Sequence, residues 1–166
     1  MQQSPKTLSA QFVEAMAAAA SGVSIVTTGG TQGRFGLTVS ALTSVSAEPP
    51  LLLACINRKS PIVEAIMHHK FFAASLLSEQ QVPLARIFAG HPEIGTAYDF
   101  SAGTWRQGQG GSPVLEQAAA TFETALDQWH DAGTHRIFVG RVLAASISGL
   151  TTLAYHHRKF GRFKAF

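Results

Sequence analysis

The sequence predicts a mainly β fold, an antiparallel barrel with a few short helices packed outside it. Three observations carry that reading. Strand-like apolar stretches outnumber helical ones, and no regular strand-helix alternation runs along the chain. In "LTVSALTSVS", residues 37–46, the apolar alternation slips by one at Ala41-Leu42, as it does where a strand bulges or bends and a sheet curves. With 166 residues, 46% of them apolar and 14% charged, the chain reads as one domain, 1–166, able to bury a substantial core.

The elements follow in order. "SAQFVEAMAAAASG" is a helix, with Ser9 as N-cap, good helix formers behind it and Gly22 as its stop. "VSIVTTGGTQGRFGLTVSALTSVS" reads as two strands around the "GGTQG" turn. "EPP" ends this section, because Pro49 and Pro50 cannot continue a central ladder. "LLLACIN" is a continuous apolar strand, expected to be buried on both faces or to lie at the barrel centre. "SPIVEAIMHH" begins a helix with Ser60 as N-cap and Pro61 at the first helical position. "FFAASLL" is another strand. "SEQQVPLARIFAG" has Ser78 and Gln81 at capping-box spacing, with Pro83 limiting how early the hydrogen-bonded body begins. Residues 90–113, with "GQGG" inside, form a loop-rich excursion. "ATFETALDQWH" and "HRIFVGRVLAASIS" pair as long strands around "DAGT", and "TLAYHHRKFGRF" closes the chain with two short ones.

Composition excludes several classes. The single Cys55 rules out an intramolecular disulfide framework and fits a reducing, cytoplasmic setting. Residues 15–33 carry no charge, but their Gly, Ser and Thr make a poor membrane span, and Glu14 with no basic cluster argues against a signal peptide. The low charge leaves a bare surface of the kind homo-oligomers have. No acidic residue follows Asp131, whereas Arg136, Arg141, Arg158, Lys159, Arg162 and Lys164 do. That asymmetry fits either a solvated hairpin or a phosphate-bearing partner, dinucleotide or nucleic acid. Aromatics interleave there, Tyr155, Phe160, Phe163 and Phe166, but no nucleic-acid module is present and the solvated hairpin is the simpler reading.

The familiar catalytic patterns are missing. His156 and His157 on one strand would point to opposite faces, His68-His69 close a helix without "HExxH", and no metal site is expected. There is no "GxSxG" elbow and no P-loop, and Cys55 in its apolar run reads as a small core residue. Glu123 and Asp127 could share a strand face, with nothing further to make them an acid–base pair.

Three features remain. The first is the hydroxyl-rich bent segment. The second is "NRKSP", where a helix start offers N–H groups beside Arg58, Lys59 and Ser60: an anion site, or simply a capped surface helix. The third is "GTHRIFVGRV", where His135 opens an apolar strand, either as a structural hydrogen-bonder or in a catalytic role.

In this order, these features resemble the short-chain flavin reductase family, the FMN-binding split barrel, whose members include reductase components of two-component aromatic monooxygenases. The resemblance runs from "FVEAMAAAASGVSIVTT" through "GLTVSALTSVSAEPPLLLACINRKSP", "FFAASLLSEQQ", "IFAG", "GSPVLEQAAATFE" and "GTHRIFVGRV" to "LAYHHRKFGRF". It implies an antiparallel split β-barrel in which Thr38, Val39, Ser40, Ala41 and Ser44 bond the flavin's polar edge and ribityl chain. Cys55, Ile56, Asn57, Lys59 and Ser60 would border ribityl and phosphate. His135 would orient the pyridine nucleotide, with Tyr155 and Phe160 flanking the same pocket. Two departures stand out: Thr134 replaces an Asp that many members carry before the histidine, and Ser75 stands where "VN" is common.

The implied activity is hydride transfer from NADH or NADPH to FMN or FAD, by a homodimer that supplies reduced flavin to a separate monooxygenase. A barrel with tightly bound FMN that reduces a quinone, ferric chelate or corrinoid, or a non-catalytic flavin-binding protein, would use the same residues. No nucleic-acid or membrane partner is expected.

Overall fold

The structure, a computed structural model, describes residues 6–30 and 33–165. Thr31 and Gln32 of the expected "GGTQG" turn, and Phe166, lie outside the described residues. The N-terminal part comprises α1 (Leu8–Ala17), β1 (Ser21–Gly22), β2 (Ser24–Gly30), β3 (Gly33–Val39), β4 (Leu42–Ala47) and β5 (Pro50–Asn57). Then come α2 (Ile62–His69), β6 (Phe71–Leu76), α3 (Val82–Phe88), and the short pair β7 (Trp105–Gln107) and β8 (Pro113–Leu115). The long strands β9 (Ala120–Ala132) and β10 (His135–Ile147) precede β11 (Leu153–His156) and β12 (Lys159–Arg162).

One seven-stranded antiparallel sheet dominates, in the order β3-β2-β6-β9-β10-β5-β4. Its first and last strands are consecutive in the chain, joined only by Ser40 and Ala41. Two residues span less than about 10 Å, so the sheet must roll until its two edges meet. The core shows the same curl. Val26 and Phe72 from one half of the sheet pack in one cluster with Leu52, Ala54, Ile56 and Phe138 from the other, together with Ile62, Val63 and Ile66 of α2. The result is a barrel split along the β3–β4 seam, in line with the expected fold class. The slip at Ala41-Leu42 is the corner itself. The bulge lies further on, at Val45, where Ser44 pairs with Leu52 and Ser46 already pairs with Leu51.

A second core sits outside the barrel, where Val23 and Ile25 meet Leu84, Phe88, Phe100, Leu115 and Leu153. The strand buried on both faces is therefore β2, with Ile25 and Val26 fully enclosed on opposite sides. This corrects the expectation for "LLLACIN". In β5, Leu52, Ala54 and Ile56 enter the core, while Leu51, Leu53 and Cys55 stay half-buried on the outer face, which the described residues do not bury. An unbroken apolar run cannot distinguish a doubly buried strand from one whose second face awaits a partner.

Helix starts differ by small steps. Thr7, not Ser9, caps α1, its hydroxyl accepting from the Ala10 N–H at 3.3 Å. The helix stops at Ala17, well before Gly22, because β1 pairs with β11 instead and α1 buries no side chain that would extend it. Pro61 precedes α2 with helical dihedrals, and no side chain caps it; Ser60 gives its carbonyl to the Val63 N–H, not its hydroxyl. The Ser78–Gln81 capping box forms as the spacing predicts, on a 3₁₀ turn leading into α3. The 90–113 excursion is well tied down. Glu123 is buried and takes Arg106 and the Gln109 N–H, each at 2.6 Å, while Phe88, Phe100 and Trp105 pack edge to face. The Thr27 hydroxyl donates to the Pro113 carbonyl.

Candidate functional site

The hydroxyls of residues 38–44 divide their labour. Thr38 points to α3 and donates to the Ala85 carbonyl at 2.8 Å, fastening that helix to β3. Val39 turns inward to the core. Ser40, Ala41 and Ser44 are exposed at the corner, which is pinned to the next strand by a hydrogen bond from the Cys55 N–H to the Ala41 carbonyl at 3.0 Å. Ile56 is also a core side chain, so it and Val39 can offer a ligand only backbone. Burial pushes the Cys55 thiol up from its ordinary pKa, which disfavours the thiolate.

At the seam lies a cavity of about 440 Å³, walled by residues 34–37 of β3, by Asn57 and the 59–62 start of α2, and by Tyr98 and Phe100. Of the residues the sequence singled out, Asn57, Lys59 and Ser60 line it. The Asn57 carboxamide accepts from the Lys59 N–H at 3.0 Å and shapes the entry to α2. Arg34, Tyr98 and Phe100 went unnoticed in the sequence. Arg34 lies 4.8 Å from the centre of the Phe100 ring, and the two are 66 positions apart, so no local pattern could join them.

The "NRKSP" segment and the His135 segment prove to be neighbours. His135 pairs directly with Asn57 across the β10–β5 ladder, and the Arg58 N–H donates to the Thr134 carbonyl at 3.0 Å. Thr134, at the position of the missing Asp, brings its hydroxyl within 2.9 Å of His135 Nδ1, so the ring keeps a hydrogen-bonding partner on that side. The hairpin tip is braced by Arg136, which donates to Asp131 at 2.7 and 3.0 Å and stacks over Trp129 at 4.4 Å. Those hydrogen bonds, with Arg58 and His130 nearby, hold the Asp131 carboxyl below its ordinary value and raise Arg136. Ser75 is wholly buried, and its hydroxyl accepts from the Leu115 N–H at 3.2 Å, tying β8 to the sheet.

Tyr155 and Phe160 stand elsewhere. Their rings are 5.3 Å apart on the small β1-β11-β12 sheet, where they line a second cavity with Arg86, His91, Arg158 and Lys159. His135 lines neither cavity, so these aromatics do not meet it within one protomer. His156 and His157 do not point to opposite faces. His157 is already in the turn, with φ of 47°, and the two rings pack 4.2 Å apart. Among the described residues no group of three or more His, Cys, Asp or Glu gathers at one point. Glu123 and Asp127 serve different partners, Arg106 and Arg141. The basic C-terminal third is also partly neutralised, since Arg136, Arg141 and Arg162 pair with Asp131, Asp127 and Glu79. Among the described residues no helix is long and apolar enough to cross a membrane.

Comparison with known proteins identifies the fold and the family. The chain is 36% identical over 157 residues to the FMN reductase (NADH) RutF of Variovorax paradoxus, covering 94% of this chain and 86% of that protein. Its fold superposes on the NADH:FAD oxidoreductase SgcE6 of Streptomyces globisporus with a TM-score of 0.86 and 29% identity, over 99% of both chains. BorF, the flavin reductase component of a bacterial two-component tryptophan halogenase, gives 0.84 and 31%, over 95% of this chain and 99% of that one. The sequence pattern of the flavin reductase like domain matches residues 16–164, so the chain belongs to the flavin reductase family.

Proposed function

We propose that this chain is an NADH-dependent flavin reductase, and one observation carries the reading: Asn57 borders the seam cavity on one side and pairs with His135 on the other. A flavin held at the corner and a pyridine nucleotide held at the hairpin tip would thereby be neighbours. The residues present fit a flavin. Ser40 and Ser44 offer exposed hydroxyls, Lys59 and the N-terminal end of α2 favour a phosphate, and the walls between are largely apolar. When bound, the flavin ring supplies the hydride-accepting chemistry, with NADH as donor.

The protein's part is positioning and water exclusion. Ser40, Ser44 and the backbone of 38–41 hold the polar edge. Cys55, Ile56 and Asn57 border the ribityl chain, and Lys59 and Ser60 balance the phosphate. His135, with Nδ1 turned to Thr134, presents Nε2 to the pyridine nucleotide. NADH is preferred over NADPH in this reading, as in the RutF relative's name.

The working form is a homodimer. Leu51, Leu53, Cys55, Ile137 and Val139 form one outer apolar face of the barrel, half-buried within a single chain and adjacent to the corner, and a second copy would cover it. The reduced flavin passes to a separate monooxygenase in the cytoplasm, an assignment supported by the exposed corner and by the two-component system to which BorF belongs.

The test is NADH oxidation by flavin-stripped protein titrated separately with FMN, FAD and riboflavin. Saturating dependence on added flavin, with reduced flavin recovered in the filtrate under anaerobic conditions, is the expected result. Flavin retained on the protein, with turnover only after a quinone or ferric chelate is added, would replace this reading by a bound-cofactor reductase.

A further inference from the structure

We propose that Arg58 and Asp131 are positioning residues for hydride transfer, joining the hairpin tip that carries His135 to the loop that receives the flavin phosphate; the proposal rests on the reductase reading above. Within "NRKSP", Asn57, Lys59 and Ser60 line the seam cavity and Arg58 does not. Its guanidinium instead reaches Asp131, with Nε 3.6 Å from the carboxylate. A cation between two cavity residues that does not itself face the cavity has another task.

The tip has little packing of its own. The β10–β5 ladder ends at the His135–Asn57 pair, and Gly133 and Thr134 beyond it are exposed. Arg58 grips that turn. Its N–H donates to the Thr134 carbonyl at 3.0 Å, and its Nη1 donates to the Gly133 carbonyl at 3.5 Å. Asp131 is itself fixed on the hairpin, accepting from Arg136 at 2.7 and 3.0 Å. Arg136 is only 13% exposed, stacks over Trp129 and approaches Glu64 of α2 at 3.9 Å. The chain Arg58–Asp131–Arg136–Glu64 therefore runs from the phosphate loop through the tip to α2. Its two cations and two carboxylates cancel, so it is a brace and not a second anion site.

Such a brace matters because hydride transfer is sensitive to geometry: a misplacement of about 1 Å can cost on the order of 100-fold in rate. Arg58 stands between Asn57, the ladder partner of His135, and Lys59, on the phosphate side. A tilt of the tip would change the distance between hydride donor and acceptor while leaving the flavin's own contacts in place. Loss of the brace is therefore read in the rate of transfer and not in flavin affinity.

Anaerobic stopped flow tests the assignment, following the bleaching of oxidised FMN, and separately of FAD, at saturating NADH with protein in excess. The native chain is compared with Arg58→Ala, Asp131→Asn, the double variant and Asp131→Glu. Both side chains are partly exposed, thermal melts verify that each variant is folded, and equilibrium dialysis gives its flavin affinity. Arg58→Ala and Asp131→Asn are each expected to slow bleaching about tenfold or more, with flavin Kd within about threefold of native. The double variant is no slower than the slower single one, because both cut the same tie. Asp131→Glu, which keeps the carboxylate, is faster than Asp131→Asn. Native rates in either single variant, losses that multiply in the double variant, flavin affinity that falls as steeply as the rate, or Asp131→Glu as slow as Asp131→Asn would overturn it. If NADH oxidation by the native chain ignores flavin, the reductase reading fails and this assignment falls with it. If the native chain transfers hydride to flavin and the variants do so equally fast, this assignment alone falls.

Discussion

His135 depends on its neighbours for its orientation, and the Thr134 hydroxyl lies 2.9 Å from its Nδ1. His135→Ala is expected to lower kcat/KM for NADH about 10- to 100-fold, roughly 1.4–2.7 kcal/mol of transition-state stabilisation, with a smaller effect on the KM for flavin. Thr134→Val removes one hydrogen bond, worth about 0.5–1.5 kcal/mol, and should cost no more than about tenfold in the same assay. Asp131 acts on the same hairpin tip through Arg136. Since its carboxyl titrates below the ordinary 3.8, the folded chain binds that proton more weakly than the unfolded one. Its contribution is complete above the ordinary carboxylate range and is lost as pH falls through the lowered folded value. Melting curves of the native chain and Asp131→Asn should therefore differ at neutral pH and converge in acid below 3.8. At this scale the sequence marked His135 and "NRKSP" separately, but nothing local said that they touch. Arg34 and Phe100 were illegible for the same reason: their contact exists only after the chain has folded.

Among the elements, those with local chemistry were legible. Ser78 and Gln81 announce their capping box by spacing alone, and Ser78→Ala should cost about 1 kcal/mol, read as a lower Tm in thermal denaturation. The β9–β10 hairpin is also written locally, in two long alternating runs around "DAGT". Gly140 in that hairpin faces inward, where a Cβ would meet Phe72 and Thr124 Oγ1 at 2.6 Å. Overpacking at that site makes Gly140→Ala destabilising by about 1–3 kcal/mol in chemical denaturation. Elements defined by tertiary pairing were misjudged. The alanines of 15–20 favour helix, yet Ser21 and Gly22 are taken by β11. The apolar run of β5 signals two covered faces, whereas the described residues bury one and leave the other half-buried.

For the molecule as a whole, that uncovered face supports the homodimer. Leu53→Asp places a charge at its centre, facing Val139 and Thr43 across the ladders, while the core side of β5 is untouched. Sedimentation should show the native chain as a dimer and the variant as a monomer with weakened flavin binding. The rolled sheet itself was anticipated from the alternation slip at Ala41-Leu42, although the sequence could not say that the slip joins the two outermost strands. That join has a temporal consequence. The corner at Ser40 and Ala41 takes its shape only when β3 lies on β2, β4 lies on β5, and β6, β9 and β10 complete the sheet between them. Residues encoded early must therefore wait for strands made late, and a nascent chain has no grip on flavin until its last long hairpin is laid down. Any ligand held at that corner binds the native state alone, and each tenfold rise in its free concentration above Kd deepens the native well by about 1.4 kcal/mol.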